Sequence, residues 1–447
     1  MKKTKVSEAD IEKQAVDRMR RRPSMTRALR TGDSTLGGDA FYTMATLSDV
    51  QTKDHIRPMF TVAWPQFISV FDDLLLEGEK EETVKLSLEG IQSGIKIANM
   101  FDMHDARHMY IKTLAKYTNL DTSELLDMKN IECIRTLLKI SVEEGEHLRL
   151  SWEEVLSVMS SLARYELLAT TPMLGDDRFF QSSIGRQIKK SSKPSRYSAF
   201  SSKSQRQRRL KESIEQARIR EKSNAYNIVK FVDLKIIERV FNISVNFTEE
   251  GILSFVACLC EVAKIELLGV DVSSVANDLE GAPPRVFCLQ KLVEVASYNM
   301  ETRTRIIWSQ LWRHLSNLFT DVGVHKNPSV AMYAIDSLKQ LSMKFLEKAE
   351  LSHFNFQSVF LIPFERIMSK SPTLEIKELI LRVIDNITQA KVRNIMSGWR
   401  AIFSVYALAG SDEHESLNSL AFDAVDRIFI HHWDVAKESF VDLVNFL

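Results

Sequence analysis

The chain has little of what marks several protein classes. Its 447 residues include only 15 glycines and 10 prolines, and strand-like alternation between turns is missing, which argues against a β-rich or collagen-like protein. The formal net charge is zero, so no overall field favours nucleic acid or membrane. The charged start, MKKTKVSEAD, does not look like a secretory signal. Charged residues interrupt the most apolar stretch, 251–270, so we do not expect a membrane span.

The cysteines are few and form no CxxC pair. They are Cys133, Cys258, Cys260 and Cys288. Cys258 and Cys260 lie in a helix-like apolar run, where side chains two residues apart point to different faces. We predict four reduced, mostly buried thiols, as is usual in a cytosolic protein, and no metal site or disulfide framework.

The tryptophans are also few, but four of the six follow one pattern. The residues three, four and seven positions later are large and apolar in every case, so four bulky side chains share one face of a helix. We predict that each of the four opens such a helix and belongs to the structural core of a repeat. The four are Trp64, Trp152, Trp308 and Trp399.

The spacing of these tryptophans indicates the fold. The first two are 88 residues apart and the last two are 91 apart, which fits two helical pairs of about 40–47 residues per interval. A single helical pair cannot cover its own apolar face, so neighbouring pairs must stack. We therefore predict an all-α chain that forms an α-solenoid of HEAT-like or armadillo-like helical pairs.

Composition divides the chain into four parts. Residues 1–40 are basic and polar, and we predict a disordered N-terminal segment there. Helical periodicity predicts a first repeat region at 41–171 and a second at 223–447. Between them, the serine-rich and basic stretch 172–222 predicts a disordered linker. The last periodic helix has no polar cap, which is typical of an array that continues beyond it.

Five blocks of sequence identify a family resemblance. They occur in one order along the chain, and long collinear matches are more specific than a short motif. They are HIRPMFTVAW at 55–64, SLEGIQSGIKIANMF at 87–101, FCLQKLVEVASYNM at 287–300, DSLKQLSMKFLEKAELSHFNFQSVFLIPFERIM at 336–368 and SGWRAIFSVYALAG at 397–410. This sequence resembles the large Golgi exchange factors for Arf, the brefeldin-A-inhibited family, in the helical regions downstream of their catalytic domain.

The resemblance implies a regulatory role without catalysis. The family's catalytic domain has about two hundred residues, and only 54 precede the first matched block, so we expect this chain to lack exchange activity. The resemblance further implies a cytoplasmic protein, peripheral on Golgi and trans-Golgi membranes, that binds an activated Arf-type small GTPase. Self-association is another expectation, whereas a cofactor or a specific nucleic acid is not expected. A generic HEAT-like trafficking adaptor without any link to exchange is the alternative.

Two histidine pairs raise the question of enzymatic chemistry. His104 and His108 stand four residues apart, like the metal-binding histidines of HExxH hydrolases. Asp105 replaces the usual glutamate base, and Glu124 is the only nearby candidate for a third ligand. We therefore rank a metal-dependent hydrolase last and interpret the pair as histidines at the start of a helix. The adjacent pair His431–His432 is interpreted as structural, since neighbours on a helix face different ways.

The basic segment carries the sequence's one candidate contact surface. Residues 186–211 contain ten lysines or arginines and no acidic residue. Such a segment could attract anionic lipid headgroups, at roughly 1 kcal/mol per basic residue near the surface. A solvated spacer and nucleic-acid or importin binding are the alternatives. The candidate lipid contacts are Lys189, Lys190, Lys193, Arg206, Arg208 and Arg209.

Overall fold

Every regular element in the described part of the chain is helical. The computed structural model describes residues 50–268, 285–347, 355–437, 441 and 444, except for 79, 123 and 171–201. No strand occurs among these residues, which confirms the all-α prediction. Fifteen α-helices are described, together with four short 3₁₀ turns. The α-helices are α1 (Val50–Glu77), α2 (Glu81–Met100), α3 (His104–Lys116), α4 (Met128–Glu143), α5 (Trp152–Thr170), α6 (Ser202–Phe231), α7 (Lys235–Ile243), α8 (Glu249–Leu268), α9 (Phe287–Thr302), α10 (Arg305–Gly323), α11 (Pro328–Phe345), α12 (Phe356–Lys370), α13 (Leu374–Lys391), α14 (Gly398–Gly410) and α15 (Glu415–Ala436).

Contacts divide the chain into two compact units, Met1–Ala63 and Trp64–Leu447, and helices α2 to α15 all lie in the second. Within that unit the helices form two layers. One layer runs through α2, α4, α7, α9, α11, α13 and α15, and each of these helices contacts the next. The other runs in the same way through α3, α5, α8, α10, α12 and α14. Helices from the two layers pack on each other, which is compatible with the predicted solenoid of stacked pairs.

Local sequence signals set the start of several helices. Asp127 and Asn130 form a reciprocal capping box, in which each side-chain oxygen accepts a 2.9 Å hydrogen bond from the other residue's backbone N–H. Asn327 accepts from the backbone N–H of Ser329, and Pro328 occupies the first turn of α11. These two signals therefore mark the start of α11.

Three of the four tryptophans that define the pattern are buried near the beginning of a helix in the second layer. Trp152 is the first residue of α5, and Trp308 and Trp399 lie in the first turns of α10 and α14. The residues three, four and seven positions after each of these three are buried as well. The amphipathic pattern therefore identified the core-facing side of α5, α10 and α14.

Trp64 differs from the other three. It lies in the middle of α1 rather than at a helix start, so the prediction that it opens a helix was wrong. The ring is only partly buried, and Phe67, three residues later, is 48% exposed. Periodicity gives α1 an apolar face but does not say what covers that face.

Helix α6 corrects the predicted disordered linker. It begins at Ser202, so residues 202–222 are helical rather than disordered. Arginine, lysine, glutamine and glutamate lower hydrophobicity, but they are also good helix formers, so composition gave the wrong state here. Residues 172–201 of the predicted linker and the predicted N-terminal segment 1–40 lie outside the described residues. The boundaries of the two repeat regions stay a prediction.

One part of α1 bears on the expected absence of a membrane span. By length and composition alone, the 23 residues His55–Glu77 are apolar enough to cross a bilayer, and they are the only such segment among the described residues. A single helix of this kind is weak evidence, because core helices of water-soluble proteins reach the same hydropathy.

Candidate functional site

The candidate lipid-binding residues fall partly on helix α6. Arg206, Arg208 and Arg209 lie in its first third, whereas Lys189, Lys190 and Lys193 lie outside the described residues. Farther along the same helix, Ile219 is 60% exposed and Tyr226 is 65% exposed. Because these two are seven residues apart, they lie on one side of the helix. The structure thus joins a basic helix start to an exposed apolar strip.

The second half of α6 is held firmly against the first repeat region. The Asn224 side chain accepts from the backbone N–H of Leu126 at 2.9 Å and donates to the carbonyl oxygen of Glu124 at 2.7 Å. Arg164 of α5 forms a largely buried ion pair with Glu221 at 2.6 Å. These contacts fix the C-terminal half of α6 against α5 and the segment just before α4.

Among the described residues, no third metal-binding side chain joins His104 and His108. His104 is the first residue of α3, as the helix-start interpretation predicted. The Nδ1 atom of His104 lies within hydrogen-bonding distance of the Arg107 guanidinium, and this cation would oppose a divalent metal at the ring. No group of three or more His, Cys, Asp or Glu side chains among the described residues could hold a metal ion. The geometry gives the hydrolase alternative no support.

The buried Arg107 itself belongs to a polar cluster. Its side chain is almost fully buried, and burial lowers the pKa of its guanidinium. Asn99 and Asp102 contact it from the end of α2, and Asn99 in turn donates to Glu144 at 2.9 Å. Asp102 adopts a left-handed backbone conformation with φ of 49°, where the chain turns between the two helices. The cluster therefore joins α2 and α3 to the end of α4.

A second buried cluster joins helices that are far apart in sequence. Glu266, near the end of α8, accepts from the Ser160 hydroxyl of α5 and from the backbone N–H of Cys288 in α9. Arg285 approaches the same carboxylate at 3.7 Å. Sequence reasoning missed this cluster, because Glu266 is 106 residues from Ser160 and 22 from Cys288, and the three form no local motif.

The cysteines and the cleft near α3 show no catalytic arrangement. All four cysteines are free and buried, as predicted, and burial raises the pKa of Cys133 and Cys258 to about 12. Thiols with such pKa values are poor nucleophiles.

A cleft of about 220 Å³ lies between α3 and α5, with both acidic and basic side chains in its wall. Charged and polar residues lining it include Lys112, Lys116, Asn119, Asp121, Glu154 and Ser157.

The adjacent histidines near the end of α15 have a structural setting. His432 departs from helical geometry, with φ of −134° and ψ of 19°, so the helix is kinked at this pair. The two rings meet edge to face, with centroids 6.3 Å from each other and planes at 61°. Their interpretation as structural residues stays a prediction.

Comparison with known proteins shows which family the chain resembles. Residues 344–427 match the family model described as "Mon2/Sec7/BIG1-like, HDS". The chain is 35% identical over 406 residues to the human brefeldin A-inhibited guanine nucleotide-exchange protein 1, which covers 88% of this chain and 21% of that protein. Over most of its length the chain is thus similar to Arf guanine nucleotide-exchange factors of the Sec7/BIG type. The matched family model describes the HDS region of such proteins.

Other Sec7/BIG relatives match over a similar length. The Schizosaccharomyces pombe ADP-ribosylation factor guanine nucleotide-exchange factor sec72 is 34% identical over 391 residues, covering 86% of this chain and 20% of its own length. The Arabidopsis thaliana brefeldin A-inhibited guanine nucleotide-exchange protein 2 is 30% identical over 426 residues, covering 88% and 22%. The chain thus spans about a fifth of the length of the Sec7/BIG relatives that it matches.

Proposed function

We propose that this chain is a regulatory and membrane-targeting helical scaffold of an Arf guanine nucleotide-exchange factor in Golgi vesicle transport. The observation that supports it most is the continuous 30–35% identity to exchange factors over almost nine-tenths of the chain. In this proposal the chain lacks exchange activity of its own. It binds a GTP-loaded Arf-type GTPase and the membrane, and so raises the local concentration of an exchange domain.

The layered helices suit a binding role. Stacked helical pairs expose extended surfaces on both layers, and such surfaces bind partners without needing a catalytic pocket. The buried Arg107 takes part in a structural contact between α2 and α3, and the buried Glu266 joins α8 to α5 and α9. This arrangement fits a scaffold better than an enzyme.

Nucleotide-dependent binding and nucleotide exchange test the proposal together. We expect the purified chain to bind Arf loaded with a non-hydrolysable GTP analogue more tightly than Arf loaded with GDP. We also expect the chain to leave the rate of fluorescent GDP release from Arf unchanged. Isothermal titration and a stopped-flow release assay measure these two quantities. Clear acceleration of release would overturn the scaffold assignment, and equal binding of both nucleotide states would favour the generic adaptor.

Helix α6 is the proposed membrane contact within this scaffold. Three of its arginines stand in its first third, and the exposed Ile219 and Tyr226 could enter the lipid headgroup region. An interfacial helix combines these two properties, since apolar burial adds to electrostatic attraction by anionic lipid. The Lys230 ammonium lies over the rings of Tyr226 and Phe231, 5.8 and 5.0 Å from their centroids, and adds a positive charge beside the apolar strip.

Neutralising the basic segment should weaken membrane binding. With all six candidate residues replaced by alanine, we expect at least a tenfold loss of binding to vesicles containing phosphatidylserine, since each basic residue contributes roughly 1 kcal/mol near the surface. Binding of the unaltered chain should fall as salt rises. Vesicle co-sedimentation measures both effects, with neutral phosphatidylcholine vesicles as control. Unchanged binding of the six-residue variant would rule out this contact. The six residues are Lys189, Lys190, Lys193, Arg206, Arg208 and Arg209.

A further inference from the structure

Beyond the first residue of α10, helices α10, α12 and α14 each carry one exposed arginine on their outer side. These are Arg313, Arg366 and Arg400. None of the three forms an ion pair or a hydrogen bond with another residue in the described part of the chain. On α10, the exposed residues Ile306, Gln310, Arg313 and Asn317 follow the spacing of a single helix face. The arginines therefore stand on solvent-facing strips rather than in structural pairs.

Contacts between buried residues place two of these arginines at one level. Trp312, next to Arg313, stacks on Phe360 with a centroid distance of 3.7 Å and donates to the carbonyl oxygen of Val359. At the other edge of α12, the Gln357 side chain accepts from the backbone N–H of Met396 at 2.8 Å, just before α14. The exposed Val359 consequently lies between Arg313 on α10 and Arg400 on α14.

Charge and hydrophobicity make this surface distinctive. The three helices contain five arginines or lysines and only two acidic residues, Asp321 and Glu365. Apolar side chains are exposed among the arginines, one on each helix, namely Ile306, Val359 and Leu408. None of the exposed large side chains on these helices is aromatic. Membrane-binding helices commonly use tryptophan or phenylalanine, so the composition favours a protein partner over a lipid surface.

We propose that the outer face of α10, α12 and α14 is a docking surface for an acidic protein segment. The guanidinium group presents a planar fork that matches a carboxylate, so separate exposed arginines suit glutamate or aspartate side chains. Packed helices are about 8–10 Å apart, which puts the outer two arginine positions about 16–20 Å from each other. An extended segment covers that distance in about five or six residues. Its two ends carry carboxylates, and an apolar side chain between them contacts Val359.

A synthetic peptide tests this docking surface and does not involve Arf or the basic segment. The probe is the fluorescently labelled nonapeptide EEELLLEEE, and its binding to the full chain is followed by anisotropy. We expect saturable binding that weakens with salt and is absent for the matched peptide QQQLLLQQQ. The double variant R313E/R400E should lose at least tenfold in affinity. The matched variant R239E/R382E, with two exposed arginines of the opposite layer reversed, should bind within about twofold of the unaltered chain.

Several results would overturn the docking proposal. If both double variants lost affinity for the peptide equally, the peptide would be binding through the overall charge of the chain and not at this surface. Absence of glutamate-peptide binding, or equal binding of the glutamine peptide, would reject an acidic partner. Phosphatidylserine vesicles test whether a membrane binds this face instead. If the chain bound vesicles but not the peptide, and R313E/R400E abolished the vesicle binding, the face would be assigned to a membrane. Unchanged thermal midpoints would show that both variants remain folded.

Discussion

Replacing Trp399 by alanine should lower the free energy of unfolding by about 3–5 kcal/mol, the range for deleting a large buried aromatic side chain. Trp399 is only 1% exposed and stacks on Phe403, with a centroid distance of 5.5 Å. Its removal would leave a cavity between α12 and α14, because these two helices pack closely on each other. Urea unfolding followed by circular dichroism measures the loss.

Local stability offers a second measurement of the Trp399 substitution. In an array of stacked helices each pair contacts mainly its neighbours, so a cavity destabilises the nearest pairs first. We expect faster hydrogen exchange in α12 to α15 and little change in α2 to α4. A loss below about 1 kcal/mol, or exchange that rises equally along the whole chain, would contradict the assignment of Trp399 to the core of a repeat.

Replacing Trp152 or Trp399 by phenylalanine should reduce stability by different amounts, because the two indole N–H groups differ in their hydrogen bonds. The indole Nε1 of Trp399 is buried and has no hydrogen-bond partner among the described residues, so phenylalanine at this position gives up no hydrogen bond. Trp152 instead donates from Nε1 to the buried carbonyl oxygen of Gly145 at 2.9 Å. An acceptor that loses its donor costs roughly 1–3 kcal/mol. Trp152→Phe should therefore be more destabilising than Trp399→Phe, and the opposite order would refute this argument.

The sequence predicts the fold best where the buried residues recur at helical spacing. The residues after Trp399 repeat at helical spacing, and the core covers that side of α14. Trp64 begins the same pattern, yet Phe67 stays about half exposed, because periodicity describes one helix and not its neighbours. At residues 202–222 the prediction failed for a different reason. The residues that keep a chain polar there are also residues that favour a helix, and α6 extends from its anchored end near Asn224.

Contacts between distant residues could not be predicted in the same way. The Arg313, Val359 and Arg400 surface depends on which buried rings stack, and no local motif encodes the contact between Trp312 and Phe360. The Glu266 cluster depends on three helices meeting at one carboxylate. Reading the sequence alone places each of these residues on a helix. It does not say which helices become neighbours.

Replacing Glu266 by alanine should cost about 2–3 kcal/mol. The carboxylate is 3% exposed, and its loss would leave the buried backbone N–H of Cys288 and the Ser160 hydroxyl without their acceptor. Each unsatisfied buried group costs roughly 1–3 kcal/mol. Arg285 adds less than a fully buried partner would, because its side chain is 38% exposed and water can solvate it. The expected total is therefore below the roughly 3–5 kcal/mol for breaking a fully buried ion pair.

Glu261 provides the matched control on the same helix. It makes a 3.1 Å ion pair with Lys264, but its side chain is 59% exposed, so Glu261→Ala should change stability by less than about 0.5 kcal/mol. Both substitutions replace glutamate by alanine within α8, so helix propensity affects them alike. If urea unfolding gave equal losses for the two variants, the Glu266 carboxylate would not be what joins α5, α8 and α9. A loss confined to Glu266→Ala, with faster hydrogen exchange at the start of α9, would locate the effect at the Cys288 contact.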